Sequence, residues 1–479
     1  MKSMKNNSRR SFIKKSALTA AGISIIPRSV LGKGFIPPSD QLNVAVIGGG
    51  GKGYSDMMNV WNNGAARISA ICDVDWNRAA KGFEKFPNAK RFKDYRKLFD
   101  EMTDIDAVTV STPDHTHAII AHAAMQLKKH VYVQKPLTHN IYEARVLTEA
   151  ARSNKIVTQM GNQGASGDGV KLMKKWFSDG LIGKVSQVHV WTNRPVWPQG
   201  FPKPTEKPAM MDGLAWDQWI GPAEYADYHP LYHPFKWRGW WNFGTGALGD
   251  MGCHLMDPPY RVLGLGYPTE VESSVGAVFT EDWTPDYYPE SCPPSSSTQL
   301  KFAATDINPC ELKLNWTDGG IRPFHPDLIP ADHPLGDNRS ANGVIMIGDK
   351  GIMTCGTYAK FAKVYLNSGE LITEPTDIVK NTLPENGHQI SWVKACKEGF
   401  GSKAHKELTS SFDYAGPLTE SILMGNLAIR SYTLREKTGN RFTFPGRKKL
   451  LWDGINMKIT NYEPANQFVR REYRDGWKL

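Results

Sequence analysis

Cysteine is scarce in this sequence, with six residues in 479, at positions 72, 253, 292, 310, 355 and 396, and no C-x-x-C pair. Such spacing excludes a closed zinc set and a redox dithiol and leaves isolated buried thiols as the expectation. No run of 18 consecutive apolar residues occurs, so no conventional membrane-spanning helix is expected. Internal repeats and low-complexity tracts are also missing. With 40% hydrophobic and 22% charged residues, the composition excludes a disordered chain, a collagen-like repeat and a coiled coil. Acidic residues are absent before Asp40, whereas Lys2, Lys5, Arg9, Arg10, Lys14, Lys15, Arg28 and Lys33 all precede it. Setting those eight aside leaves fifty basic residues against 48 acidic ones, so the formal charge of +10 belongs to the leader. A nucleic-acid-binding surface has no support from charge.

What the leader does contain is specific. Ser8-Arg9-Arg10-Ser11-Phe12-Ile13-Lys14 is a twin-arginine pattern, followed by a modest apolar run from Ser16 to Ile26. It predicts a signal peptide over residues 1–35, recognition by the twin-arginine export machinery and a periplasmic destination. The remaining length exceeds one hydrophobic core and predicts two domains, at 41–160 and 161–479.

From Leu42 onward, strand-like runs alternate with helical stretches. Strands are expected at 42–47, 66–72, 105–110, 130–133 and 156–159, with the clearest helices at 117–128 and 141–153. Repeated βα units imply a parallel, doubly wound sheet. Beyond Gly180 the texture changes to runs near 185–190, 271–279, 300–303 and 311–316, which predict a larger antiparallel or mixed sheet. Helices are expected near 389–397 and 418–434, on either domain. Residues 191–241 hold seven of the fifteen tryptophans, at 191, 197, 216, 219, 237, 240 and 241, without regular periodicity. Aromatic faces of this kind either line a carbohydrate site or anchor a long loop to the body of the protein. Arg194, Trp197 and Trp237 are the candidate substrate contacts within it.

Gly48-Gly49-Gly50-Gly51-Lys52-Gly53 satisfies G-x-G-x-x-G directly after a strand and before a helical stretch. Glycines there permit a tight turn, close approach of the backbone to a pyrophosphate, and close helix–strand packing. Asp73 ends the next strand, where a carboxylate accepts hydrogen bonds from a ribose and repels a 2′-phosphate. NAD is therefore favoured over NADP, with Arg78 nearby keeping the second open.

These motifs occur together with Ser111-Thr112-Pro113-Asp114-His115-Thr116-His117, Gln134-Lys135-Pro136 and Gly249-Asp250-Met251-Gly252-Cys253-His254. In that order they resemble the Gfo/Idh/MocA oxidoreductase family. The resemblance implies an N-terminal Rossmann dinucleotide-binding domain followed by a C-terminal α/β domain. The second domain's large open mixed or antiparallel sheet faces the cofactor and mediates a dimer or tetramer. It assigns Lys135 to the family's E-K-P lysine, although Gln134 stands where glutamate is usual. Asp250 and His254, spaced i, i+4, match the family's D-x-x-x-H pair. His254 is then the expected general base, Lys135 the hydroxyl polariser and alternative base, and Asp250 the orienting group. Ser111, Thr112, Pro113, His115, His117, Gln134 and Gln163 are implied cofactor contacts beside the glycine loop. The Asp-His-Thr-His run invites a metal reading, but its spacing fits no closed zinc set, and no metal is expected. The implied activity is oxidation of a ring hydroxyl of a sugar or glycoside, with C3 the expected position, and with tightly held NAD. Redox-neutral glycoside cleavage through transient oxidation is the alternative.

Overall fold

The computed structural model describes residues 41–337, 341–373, 386–439 and 441–479. The twin-arginine leader lies outside the described residues.

Six strands, β1 (Leu42–Ile47), β2 (Ala66–Cys72), β3 (Lys90–Phe92), β4 (Ala107–Val110), β5 (His130–Val133) and β6 (Thr158–Met160), form one sheet in the order β3-β2-β1-β4-β5-β6. All neighbouring pairs run parallel. Between them lie helices α1 (Lys52–Trp61), α2 (Trp76–Lys85), α3 (Tyr95–Glu101), α4 (Asp114–Gln126) and α5 (Ile141–Asn154). The strands are almost wholly buried, as expected of a parallel sheet covered on both faces, and β4 reads Ala-Val-Thr-Val without an exposed position. Where local signals are strong the boundaries are sharp: Asp75 caps α2 at Asn77 and Arg78, and Asn140 caps α5 at Glu143. The parallel order reverses direction at β1 and β4, and the carboxyl ends of those strands open the crevice in which the glycine loop sits.

The second sheet has ten strands in the order β14-β13-β12-β11-β7-β10-β9-β8-β17-β18. These are β7 (Val185–Trp191), β8 (Glu270–Val275), β9 (Ser296–Phe302), β10 (Leu312–Thr317), β11 (Gly343–Gly348), β12 (Gly351–Cys355), β13 (Lys363–Leu366), β14 (Leu371–Thr373), β17 (Leu450–Asp453) and β18 (Lys458–Ile459). A separate ribbon pairs β15 (Glu436–Thr438) with β16 (Arg441–Thr443). Only β7 and β10 pair in parallel, so the sheet is mixed and mostly antiparallel. Strand β9 alternates buried and partly exposed positions, the mark of a sheet with one packed face.

Helices α6 (Asp168–Ser178), α7 (Trp216–Ile220), α8 (Gly246–Leu255), α9 (Asp257–Val262), α10 (Gly387–Glu398), α11 (Lys403–Lys406) and α12 (Phe412–Thr433) complete the fold. The division at residue 160 is not strictly linear in space. Trp392, Val393, Ala395 and Cys396 of α10 join the core beneath β1 and β2, so the chain returns to its first sheet. Helix α12 crosses between the sheets, and its Glu420 accepts a forked pair from Arg145 of α5. The helix starts at Phe412 instead of the expected 418, with Pro417 inside its second turn. Among the described residues no helix is long and apolar enough to cross a membrane. All six cysteines are unpaired, five of them buried and Cys310 partly exposed.

Candidate active site

The glycine loop is shaped by close contacts that no side chain could share. Gly48 has φ of +84°, and a Cβ there would lie 2.6 Å from the Ser111 carbonyl oxygen. At Gly53 a Cβ would lie 1.8 Å from the Gly48 carbonyl oxygen, so the start of α1 packs directly on the turn. Gly51 precedes α1 without any side-chain cap. The Gly53 amide turns back onto the Gly50 carbonyl at 3.0 Å, and the positive end of the helix faces the turn, where an anion is favoured. Asp73, at the end of β2, accepts from the amides of Gly49 (2.8 Å), Gly50 (3.1 Å) and Asp75 (2.9 Å). Burial pushes its carboxyl up to about 6 against those three donors.

A cleft of about 670 Å³ runs from this loop between the two sheets. It is lined by Gly48, Gly50, Gly51, Lys52, Asp73, Ser111, Thr112, Pro113, Gln134, Lys135 and Gln163 from the first half of the chain. Arg194, Trp197, Trp237, Asp250 and His254 line it from the second half. A long cleft with backbone amides at one end and a carboxylate beside them fits a dinucleotide.

At the other end the ionisable groups converge. The Lys135 ammonium donates to the Asp250 carboxylate at 2.7 Å and to the Asp250 carbonyl oxygen at 2.8 Å. Asp250 also faces Arg238 Nε at 3.3 Å and Arg194 Nε at 3.6 Å. Burial pushes its carboxyl up, but Lys135 and Arg238 outweigh burial and hold it below the usual carboxylate range. His254 lies one turn further along α8. Burial and the neighbouring Lys135 hold its pKa well below the ordinary value, so the ring is neutral. Its Nδ1 is buried without a hydrogen-bond partner, and the ring meets Tyr358 edge-on at 4.8 Å. Tyr358 itself sits at φ +63° in a turn where Ala359 and Phe361 are also left-handed, a costly conformation for residues with side chains.

Four of the expected cofactor contacts are not in the cleft lining. Gly49 and Gly53 act through their backbone and their packing. His115 and His117 correct the expectation for the Asp-His-Thr-His run. His115 is fully buried, with Nε2 2.7 Å from the Trp219 carbonyl and Nδ1 3.2 Å from that of Phe243. Burial drives its pKa down to about 3 against those two carbonyls, and the ring stands as a pillar between α4 and the tryptophan-rich segment. His117 spans the carbonyls of Thr112 and Pro136, both at 2.8 Å, and so ties the turn after β4 to the Lys135 segment. Neither ring has a free face for a ligand. Among the described residues no group of three or more histidines, cysteines or carboxylates is arranged to hold a metal.

The tryptophan-rich segment is also mostly core. Trp216 and Trp219 stack at 4.5 Å, and with Tyr228, Tyr232, Trp240 and Phe243 they form a small aromatic core of their own. Trp191 packs under β11 and β12, and Trp241 joins the main core. Of the seven tryptophans, Trp197, Trp219 and Trp237 reach the cleft.

Sequence reasoning missed the groups that fasten this segment over the cleft. Arg238 forks onto Asp114 at 3.0 and 3.2 Å, and Thr245 Oγ1 donates to the same carboxylate at 2.6 Å. His233 Nε2 donates to Asp75 at 2.8 Å. The Ala215 amide bonds to the Val74 carbonyl at 2.8 Å. Trp477 closes the cleft from the C-terminal segment, with its ring 4.4 Å from the Arg96 guanidinium. The acid at Asp114 was visible in the motif, but its partner lies 124 residues away with no local pattern to mark it.

Comparison with known proteins bears on the fold and the family. One family model, described as an oxidoreductase family with an NAD-binding Rossmann fold, matches residues 42–162. Its companion, the C-terminal alpha/beta domain of the same family, matches residues 166–280. The chain belongs to the Gfo/Idh/MocA oxidoreductase family. Levoglucosan dehydrogenase of Pseudarthrobacter phenanthrenivorans is 27% identical over 255 residues, covering 51% of this chain and 55% of that protein. Myo-inositol 2-dehydrogenase of Thermotoga maritima is 26% identical over 187 residues, covering 39% of this chain and 54% of that protein. The chain thus aligns with only about half the length of these curated relatives. A solved levoglucosan dehydrogenase in complex with NADH and levoglucosan superposes with a TM-score of 0.55 at 19% identity, covering 81% of this chain and 97% of that one. An inositol dehydrogenase homolog from Azotobacter vinelandii, with NADH and myo-inositol, gives 0.54 at 16% identity over 84% and 97%. At those identities the likeness of this oxidoreductase to the solved structures is one of fold.

Proposed function

We propose that this protein oxidises a ring hydroxyl of a sugar or glycoside with NAD, giving a keto-sugar. The observation that carries the reading is the meeting of Lys135, Asp250 and His254 at the end of the cleft opposite Asp73. A dinucleotide held by the glycine loop and Asp73 would supply a hydride acceptor for the carbinol carbon. Lys135 donates a hydrogen bond to the hydroxyl oxygen and stabilises the charge that develops there. His254, neutral and part of the cleft lining, accepts the hydroxyl proton. Asp250 keeps the lysine ammonium aimed, so its role is exerted through Lys135 as well as on the substrate. The faces of Trp197 and Trp237 stack on the sugar ring, and Arg194 supplies a donor at the same end.

Gln134 in place of the family's usual glutamate fits its surroundings. Its side-chain amide donates at 2.7 Å to Asp56, which is fully buried on α1 and also takes Ser111 Oγ and Gln389 Nε2. A glutamate at 134 would set two carboxylates against each other.

Similarity to an alpha-N-acetylgalactosaminidase of Shewanella oneidensis, 29% identical over 185 residues, favours one second reading. On that second reading of this chain, oxidation would acidify the adjacent C–H, elimination would expel the aglycone, and the returning hydride would make the cycle redox-neutral. Incubation with a panel of glycosides and NAD separates the two. Keto-sugar with NADH supports the dehydrogenase, and free aglycone without net NADH supports cleavage. Absence of both across the panel would overturn the assignment.

Export by the twin-arginine route, a homo-oligomeric assembly and retention of the cofactor through many cycles belong to the same proposal. Arg9 and Arg10 support the first, and the polar contacts that fasten residues 191–241 across the cleft support the last. Denaturing protein purified without added nucleotide should release near-stoichiometric NAD(H), whereas nucleotide-free protein would refute retention. Light scattering reads the oligomer, and loss of periplasmic recovery on replacing Arg9 and Arg10 with lysine reads the export signal.

A further inference from the structure

A second, much smaller cavity of about 70 Å³ lies behind Thr245, away from the cleft. Its lining joins Asn140 at the head of α5, Asn426 and Arg430 of α12, and Arg471 of the C-terminal segment, together with Trp241 and Phe468. The polar accounting of this space does not close. Asn140 spends Oδ1 on the Glu143 amide at 3.0 Å, and its Nδ2 is buried without a partner. Asn426 donates Nδ2 to the Thr245 carbonyl at 2.9 Å, which leaves Oδ1 unpartnered. Both asparagines are more than nine-tenths buried. Arg471 uses Nε on Glu143 at 2.9 Å and Nη2 on the His115 carbonyl, while its Nη1 is buried and unpartnered.

The charges do not balance either. Glu143 answers Arg471, and its two oxygens are already taken by Arg471, Tyr473 and the His139 amide. Arg470 is exposed and lies over Tyr142. Arg430 has no carboxylate against it among the described residues. Its guanidinium lies 4.1 Å from the Phe468 ring and 5.6 Å from that of Trp241. Burial pushes its pKa down to about 10, opposed only by the Cys292 thiol. Arg430 is only partly exposed, and a cation drawn that far out of water without a counter-charge is costly, so such groups are normally paired.

We propose that this cavity binds one small monovalent anion, of halide size, held by Arg430, the free Nη1 of Arg471 and the Nδ2 of Asn140. One negative charge neutralises the one unanswered positive charge. The volume holds roughly two water-sized bodies, so a companion water has room to donate to Asn426 Oδ1. The site sits at a junction of the fold. Asn426 grips the backbone of Thr245, whose hydroxyl holds Asp114 in its pairing with Arg238. A bound anion therefore fixes α12 and the C-terminal segment behind the cleft without touching substrate.

Thermal unfolding in sodium chloride and in sodium gluconate, at matched ionic strength, tests this on the intact protein. Chloride between 10 and 200 mM should raise Tm by about 2 °C more than gluconate does. The difference should vanish in Arg430→Met, which fills the space without a charge to neutralise. Crystals of the wild-type protein soaked in bromide should show an anomalous peak between Arg430 and Arg471. That measurement stands even if the variant does not fold. Equal Tm in the two salts, or saturating bromide without a peak in this cavity, would overturn the proposal. Stabilisation by sulfate but not by chloride would overturn the monovalent assignment.

Discussion

The two walls of the cleft are built on different principles. One wall is the parallel sheet, whose strands are tied by continuous backbone ladders and whose loops carry the glycine turn, Asp73 and Lys135. The other is the segment 191–241, which beyond the end of β7 has only the five-residue α7 and a 3₁₀ turn at Lys236–Gly239 for regular structure. That wall coheres through aromatic packing and reaches the first through discrete polar contacts at Asp75, Asp114 and Val74. Loss of one ladder bond leaves a sheet intact, but loss of one such contact frees a stretch of the covering wall. Local opening should therefore be concentrated in residues 191–241 while the sheet stays closed.

The largest expected effect is independent of the covering wall and tests the groups that meet between the two sheets. Lys135→Ala or His254→Ala should lower turnover by about 10²-fold or more, the usual scale for a positioned proton-transfer group. Nucleotide binding, read by fluorescence quenching, should change little for His254→Ala. Wild-type turnover in both variants would show that the chemistry lies elsewhere.

Next comes the strongest tie between the walls. Arg238→Met leaves Asp114 buried at the head of α4 and removes one of the cations facing Asp250. Breaking a buried pair from one side costs about 3 kcal/mol or more, which denaturant unfolding should detect. An unchanged midpoint would mean that the segment is held by its aromatic core and not by this pair.

The same contrast decides what was legible in the sequence. Strands β1, β2 and β5 fall on the expected residues because an apolar run ends abruptly at glycine, aspartate or a Lys-Pro pair. Strand β3 carries no such signal, with Lys90 and Arg91 exposed and only Phe92 buried. Val344-Ile-Met-Ile347 is a plain apolar run between glycines, so β11 was readable and simply lacked a motif to draw notice. The start of α12 was hidden by Pro417, which the helix accommodates near its beginning. Of the site, the residues with motif spacing, Lys135, Asp250 and His254, could be brought together by resemblance. Arg238, Tyr358, His233 and Trp477 could not, because each is placed by packing between segments distant in sequence. The histidines at 115 and 117 were legible as a cluster but not as pillars, since only the fold shows the carbonyls that occupy both nitrogens.

A smaller effect is expected at the second tie. His233→Ala removes the donor to Asp75, which is 1% exposed, and loss of a buried hydrogen bond of this kind costs about 1–3 kcal/mol. Most of that cost should appear as local opening, so hydrogen exchange should accelerate across residues 210–241 while amides of β1 and β4 stay protected. Uniform acceleration over both walls would show that they unfold together.

The smallest effect is a pH dependence at Asp73, where the cleft meets the rigid wall. Its carboxyl titrates at about 6, above the ordinary 3.8, because burial disfavours the charge. The folded protein therefore binds this proton more tightly than the unfolded chain does. Its contribution to stability is greatest below about 4 and declines as pH rises through 6. Asp318, also raised to about 6, and Glu420, to about 7, bend the curve in the same direction. Only the difference between wild type and Asp73→Asn isolates the residue. Nucleotide affinity should move the other way, since a carboxylate that accepts from a ribose must be ionised. Binding should weaken below about pH 6 by at most tenfold per pH unit, and the Asp73→Asn variant should bind weakly and without that slope. Two opposed profiles that vanish together in the variant would place one titrating group in both events. A wild-type affinity that is flat from pH 5 to 8 would remove Asp73 from the ribose site.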